Sequence, residues 1–162
     1  MATRPAKRRK GADYSLPTMT HLKNKTTASS LALIGGQFGL HRLYLYGCKN
    51  VGLWLHTLPS CLGWWGMARV MRYGQDDQLA WVLVPLLGFS VAGGAVMAIY
   101  YALQSAEQWN ARYNPQALSS PQGQTNWATI GVLVFSLLVG TIVLMSSIVF
   151  SFQRYFEFQI GH

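Results

Sequence analysis

Acidic residues are scarce: the 162-residue chain has only five, Asp13, Asp76, Asp77, Glu107 and Glu157. None lies inside a long apolar run, so no carboxylate is placed for ion-coupled transport, the usual employment of an acid within a membrane. Charge of either sign is low, at 11% of residues, against roughly 25% in soluble domains. Residues 79–103 and 127–152 contain no Lys, Arg, Asp or Glu at all. Each run exceeds the roughly 20 residues that a helix needs to cross a hydrocarbon core. A soluble core helix is seldom that long and apolar on every face.

Other absences narrow the function. Two cysteines, Cys48 and Cys61, make no disulfide framework and have no metal-ligand spacing; they read as plain thiols. No nucleophile elbow, phosphate loop, zinc-binding helix motif or haem-attachment sequence is present. No catalytic residue, metal ligand or cofactor is therefore expected, and the reading is non-enzymatic. A polar run over 11–27 separates the basic start of the chain from its first apolar segment, which excludes a signal peptide.

The chain does hold four apolar segments, at about 26–46, 51–71, 79–103 and 127–152. The second is diluted by His56, Pro59, Ser60 and several glycines. These predict an all-α membrane protein of about four transmembrane helices, a two-helix hairpin followed by two more. The organisation is a basic tail over 1–24, expected to be disordered, the hairpin over 25–73, a third helix over 74–104, an external loop over 105–126, and a fourth helix with a short tail over 127–162. Trp81 and Trp127 at segment starts, Tyr100 and Tyr101 near an end, and Tyr155 just past one fit an interfacial aromatic belt.

Net charge is +8, and cations remain on the cytoplasmic side during insertion. With four crossings and the N-terminus inside, Arg4, Lys7, Arg8, Arg9, Lys10, Lys23, Lys25, Arg69, Arg72 and Arg154 are internal, and Arg42, Lys49 and Arg112 external, ten against three. Both termini are then cytoplasmic, in a plasma (inner) membrane of bacterial style. The cluster Arg4, Lys7, Arg8, Arg9 and Lys10 attracts anionic lipid headgroups. Without interleaved aromatics it does not read as a nucleic-acid site.

Within the first segment, Gly35-Gly36-Gln37-Phe38-Gly39-Leu40-His41-Arg42-Leu43-Tyr44-Leu45 resembles the signature of the TM-two domain family, two membrane helices joined by a short turn. Gly36, Phe38, Gly39, His41, Arg42, Tyr44 and Leu45 match its pattern. Gly47 and Gly52 match if Tyr46 counts as inserted, and Leu43 replaces the usual Phe. The likeness covers roughly 23–71 and reaches Gly63-Trp64-Trp65, after which Arg69 stands where the family often has Asp. It implies the hairpin and no particular activity.

Several residues invite a role. Gly35 and Gly39 form a Gly-x-x-x-Gly pair, repeated in kind by Gly88, Ala92 and Gly93 and by Ser90 and Gly94; such faces pack helices within a chain or between copies. Gln37, His41 and Tyr44 fall on one helical face. His41 and His56 each lie about five residues from the outer end of their helices, at a shared depth of about 8 Å, where the hairpin can pair them as a proton-responsive or metal-binding couple, although two ligands are few for zinc. Arg42 can snorkel to lipid phosphate or cap the turn's carbonyls. Pro85 frees the carbonyl of Trp81. Asp77 suits a helix N-cap, and it or Asp76 can instead pair with Arg69 or Arg72. The leading role is a structural or accessory membrane protein acting through lipid, protein or self contacts. The alternative is a small oligomeric channel or transporter.

Overall fold

In the computed structural model, which describes residues 22–160, the chain is helical throughout, with no strand among those residues. The helices are α1 (Lys25–Gly35), α2 (Leu40–Tyr46), α3 (Val51–Tyr73), α4 (Gln78–Leu103), α5 (Ala106–Tyr113) and α6 (Trp127–Ile160), with single 3₁₀ turns at Gly36–Phe38 and Pro121–Gly123. Two stretches, Gln78–Leu103 and Pro121–Ile160, have the length and hydropathy to cross a membrane. Helix α4 is central. Helices α3 and α6 pack along it on either side, and α1 docks on it between them.

The first apolar segment departs from expectation. One continuous helix over 26–46 is predicted, and two antiparallel half-length helices form instead. Asn24 caps α1, its side chain accepting from the Thr27 N–H at 3.2 Å. The 11 residues of α1 advance about 16 Å at 1.5 Å per residue. The chain then turns through Gly36–Phe38 and reverses at Gly39, whose φ of 70° is left-handed and open to glycine at little cost. Helix α2 runs back to the starting end. There the Asn24 N–H donates to the Tyr44 hydroxyl at 3.0 Å and Lys23 Nζ to the Tyr44 carbonyl at 2.8 Å. In an unbroken helix those residues would stand about 30 Å apart.

The tip of this hairpin stops halfway along its neighbours. A Cβ on Gly36 would lie 2.5 Å from the Gly94 Cα, and one on Gly94 would lie 2.8 Å from the Ala32 carbonyl oxygen, so the two backbones touch. Gly94 is nine residues from the end of α4, and Ser60, which bonds the tip, is nine from the start of α3. Both place the tip about 14 Å in. Ala28, Ala32 and Ala98, all buried, line the contact. Gly35 and Gly39 therefore do not share a helical face; they build the reversal. Gln37 lies in the turn and is likewise separated from His41 and Tyr44. On α4, Gly94 meets Gly36 and Gly88 meets Ser147 of α6, while nothing lies within 4 Å of a Cβ on Gly93.

Lys23 bonds Asn114, beyond the end of α4, whereas Arg154 bonds Gln75, before its start. Leu22 and Ile160 thus lie at opposite ends of the bundle, not at one end as four antiparallel crossings require. At the far end, Asp77 stands at the N-cap of α4 without a side-chain capping bond. Its carboxylate takes two hydrogen bonds from Arg69, at 2.6 and 3.0 Å. Pro59 and Pro85 both lie inside unbroken helices. Trp81 donates to the Gln75 carbonyl at 2.8 Å, while Tyr101, expected at an interface, is buried in the core.

Two outcomes follow. Gly94→Val overpacks the hairpin contact and should destabilise the purified protein by about 1–3 kcal/mol; Gly93→Ala, inside α4 with open space around it, should hold or slightly raise the melting temperature. The hydrogen bonds and charge of Arg69 hold the Asp77 carboxyl below its ordinary pKa. A depressed folded-state pKa stabilises above the unfolded value and loses that contribution as pH falls through the folded one. Melting temperature should therefore drop below about pH 4 more steeply in the native protein than in Asp77→Asn.

Candidate functional site

The site lies where the open end of the hairpin meets α3, the end of α4 and the α5 segment. Helix α5 begins with a reciprocal capping box: Ser105 Oγ accepts from the Gln108 N–H, and Gln108 Oε1 from the Ser105 N–H, both at 3.2 Å. It presents Trp109, Asn110 and Asn114 inward, all buried. Asn114 Oδ1 accepts from the Lys23 N–H at 2.7 Å, and Asn114 Nδ2 donates to the Lys23 carbonyl at 3.0 Å, so one side chain grips both polar groups of one peptide residue. Trp109 Nε1 donates to the same carbonyl at 2.9 Å. Asn110 Nδ2 bonds the Leu118 and Ser120 carbonyls and closes the loop behind.

Lys25 is fully buried. Its Nζ donates to the Gln104 carbonyl at 2.9 Å and to Thr125 Oγ1 at 2.6 Å. A cation at the last carbonyls of α4 complements the negative end of that helix. Thr26 Oγ1 lies 2.7 Å from Thr129 Oγ1 of α6. The start of α1 is thereby fastened to α4, α5 and α6 together.

Behind this clamp lies a basic cluster. The His41 and His56 rings come together, with centroids 5.6 Å apart and planes at 75°, and His41 lies 5.8 Å from the Tyr101 ring. His41 is wholly buried, and neither ring nitrogen has a hydrogen-bond partner; the same holds for His56 Nδ1 and Arg42 Nε. The Arg42 charge reaches both imidazoles. That cation disfavours a metal ion between them, and among the described residues no group of three His, Cys, Asp or Glu could hold one.

Each motif residue has a place in this geometry. Gly36 touches Gly94, and Gly39 makes the reversal. The Phe38 carbonyl accepts from Thr57 Oγ1 at 3.0 Å, and the Gln37 carbonyl from Ser60 Oγ. The Tyr44 ring lies beneath Lys23 Nζ, 4.9 Å from its centroid. Gly47, at φ 77°, ends α2, and Gly52 packs against the Arg42 guanidinium. Gly35 abuts Leu40 across the turn. The basic cluster from Arg4 to Lys10 lies outside the described residues.

Sequence reasoning misses Lys25, Trp109, Asn110, Asn114 and Tyr101. The Ser105-x-x-Gln108 spacing is a legible start signal for α5; nothing local marks Lys25 or Asn114, whose partners are distant in sequence. No protein-family model matches the chain, no curated protein is significantly similar to it, and no solved structure matches its fold.

Removing the clamp should cost stability. Asn114→Ala leaves the half-buried Lys23 N–H without its acceptor and the Lys23 carbonyl with Trp109 as its one remaining donor, a loss of about 1–3 kcal/mol for the group left unpaired. The expected result is a lower melting temperature together with faster proteolysis near Lys23 and Lys25.

Proposed function

We propose that this is an integral membrane protein with three crossing helices, α3, α4 and α6, and a re-entrant hairpin, α1–α2, that enters and leaves on one side. It acts as a non-enzymatic structural or accessory component, through packing with lipids and other membrane proteins. The observation that carries the reading is the hairpin's half-depth reversal, with both its ends held at the α5 end of the bundle. Non-helical backbone at membrane depth is tolerated only where protein or a wet cavity satisfies it. Here the Ser60 and Thr57 hydroxyls, shared with the His56 and Leu53 carbonyls of α3, reach the tip carbonyls, which favours a sealed scaffold over a conduit. The glycines that carry the resemblance of 23–71 to the TM-two domain fall at the turn, at the end of α2 and beside Arg42.

Orientation changes with the hairpin. The α5 end carries Lys23, Lys25, Arg42, Lys49 and Arg112, and the polar stretch with Arg4, Lys7, Arg8, Arg9 and Lys10 leads into it. Arg69, Arg72 and Arg154 stand at the other end. The split is again ten against three, and it makes the α5 end cytoplasmic, facing anionic headgroups, with Ile160 across the membrane.

Cysteine labelling tests the topology. A membrane-impermeant maleimide applied to intact cells should modify Gln159→Cys in a background lacking Cys61 and leave native Cys48 unmodified until the cells are opened. Labelling of both positions from the same side would overturn the three-crossing arrangement. Liposomes holding the purified protein should show no ion leak above empty ones; sustained flux would replace the scaffold reading with a channel.

A further inference from the structure

The hairpin fills only half of the gap it enters. One stripe of α4 runs through Val84, Gly88, Val91, Ala95, Ala98 and Ala102. Its last three residues are buried; its first three, past the hairpin tip, are half-buried. Helices α3 and α6 flank that stripe without substantial contact with each other. Between them, beyond the tip, lie two adjoining cavities of about 340 and 390 Å³ that share Met67, Val84 and Phe150. The deeper one reaches Val91 and Val143; the outer one opens at Gln75, Gln153 and Arg154.

Dimensions and chemistry narrow the occupant. From Val143 to Arg154 the cleft extends about 16 Å at 1.5 Å per residue, close to half of a roughly 30 Å hydrocarbon core, or one leaflet. A helix about 10 Å across would need roughly 1,200 Å³ over that length, more than the cavities of about 340 and 390 Å³ offer together, so a partner helix or a second copy does not fit within the cleft. The deep walls are apolar, and the mouth is polar and cationic. Arg154 is held there over the Trp81 and Phe150 rings, 5.4 Å from each centroid. Its Nη1 is taken by Glu157 at 2.5 Å and its Nη2 by Gln75 at 3.2 Å, but its Nε–H has no acceptor among the described residues. A lipid phosphate supplies the missing acceptor, and its acyl chain the missing apolar surface.

We propose that one glycerophospholipid, from the leaflet opposite the hairpin, is bound in this cleft as a structural component. An acyl chain lies along the Val84–Val91 stripe and the phosphate accepts from Arg154 Nε. The inference rests on the membrane reading above. Hairpin and lipid then divide the α3–α6 gap by leaflet, protein on one side of the midplane and lipid on the other.

The test is phospholipid phosphorus per chain, measured on full-length protein extracted from membranes and washed in mild detergent. Native protein should retain about one phospholipid. Val84→Phe, which fills the cleft, and Arg154→Lys, which keeps the charge but removes the Nε–H, should each retain at least fivefold less while remaining monodisperse. Should Val84→Phe aggregate, Arg154→Lys alone decides. Lipid-free native protein, or equal lipid in native and variant chains, overturns the proposal while leaving the membrane reading intact. Native protein that stays in solution without detergent overturns both.

Discussion

The architecture depends on one contact, the backbone of Gly36 lying directly on that of Gly94. A chain that breaks its helix in an apolar setting exposes carbonyls that no solvent will bond. The break survives where donors are supplied and where the turn can press close enough to exclude gaps. Ser60 and Thr57 reach the Gln37 and Phe38 carbonyls, but they meet them only because the tip sits flush on α4. A side chain at either glycine would lift the turn away from α4 and from the hydroxyls beside it. The clamp at the other end is the counterpart of this contact. Asn114, Trp109 and Lys25 hold the entry point of α1, so the hairpin is fixed at its tip and its base and has no freedom to straighten.

Legibility in the sequence follows from this division. The long apolar runs of α4 and α6 are plain, because hydropathy alone specifies them. The second segment is harder to read through His56, Pro59 and Ser60, yet it forms the continuous α3, and Ser60 proves to be the donor that the tip requires. The meeting of His41 and His56 follows from the local α2–α3 hairpin, whose turn is short enough to fix their shared depth. The reversal at Gly39 is not legible from hydropathy, since twenty apolar residues score alike as one crossing or two half-crossings. The cluster Gly35, Gly36 and Gly39 is the only local sign, and the same spacing equally describes a helix-packing face. What decides between them is Gly94 and Asn114, far along the chain.

That ambiguity passes into charge counting. The rule that cations stay on one side gives ten against three under either topology, because Arg42, Lys49 and Arg112 exchange places with Arg69, Arg72 and Arg154. Two groups of equal size trade sides, and the arithmetic cannot notice. Only the number of crossings ahead of α3 separates the two arrangements, and the proposed half-depth hairpin rests there on the Gly36–Gly94 contact. The histidine pair belongs to the same region for a related reason: α2 is short, so His41 lies one turn from the reversal and is enclosed by Tyr101 and His56 instead of facing outward.

The buried Lys25 has a further consequence, for the order of events during synthesis. Its two acceptors, on Gln104 and Thr125, are 79 and 100 residues downstream. When α1 emerges, neither they nor Gly94 yet exist, and a lone half-length helix with a cation at its base has none of the contacts that hold it in the finished fold. It can settle only once the segment after α5 has been made. The earliest of the described helices is thus among the last to take its position.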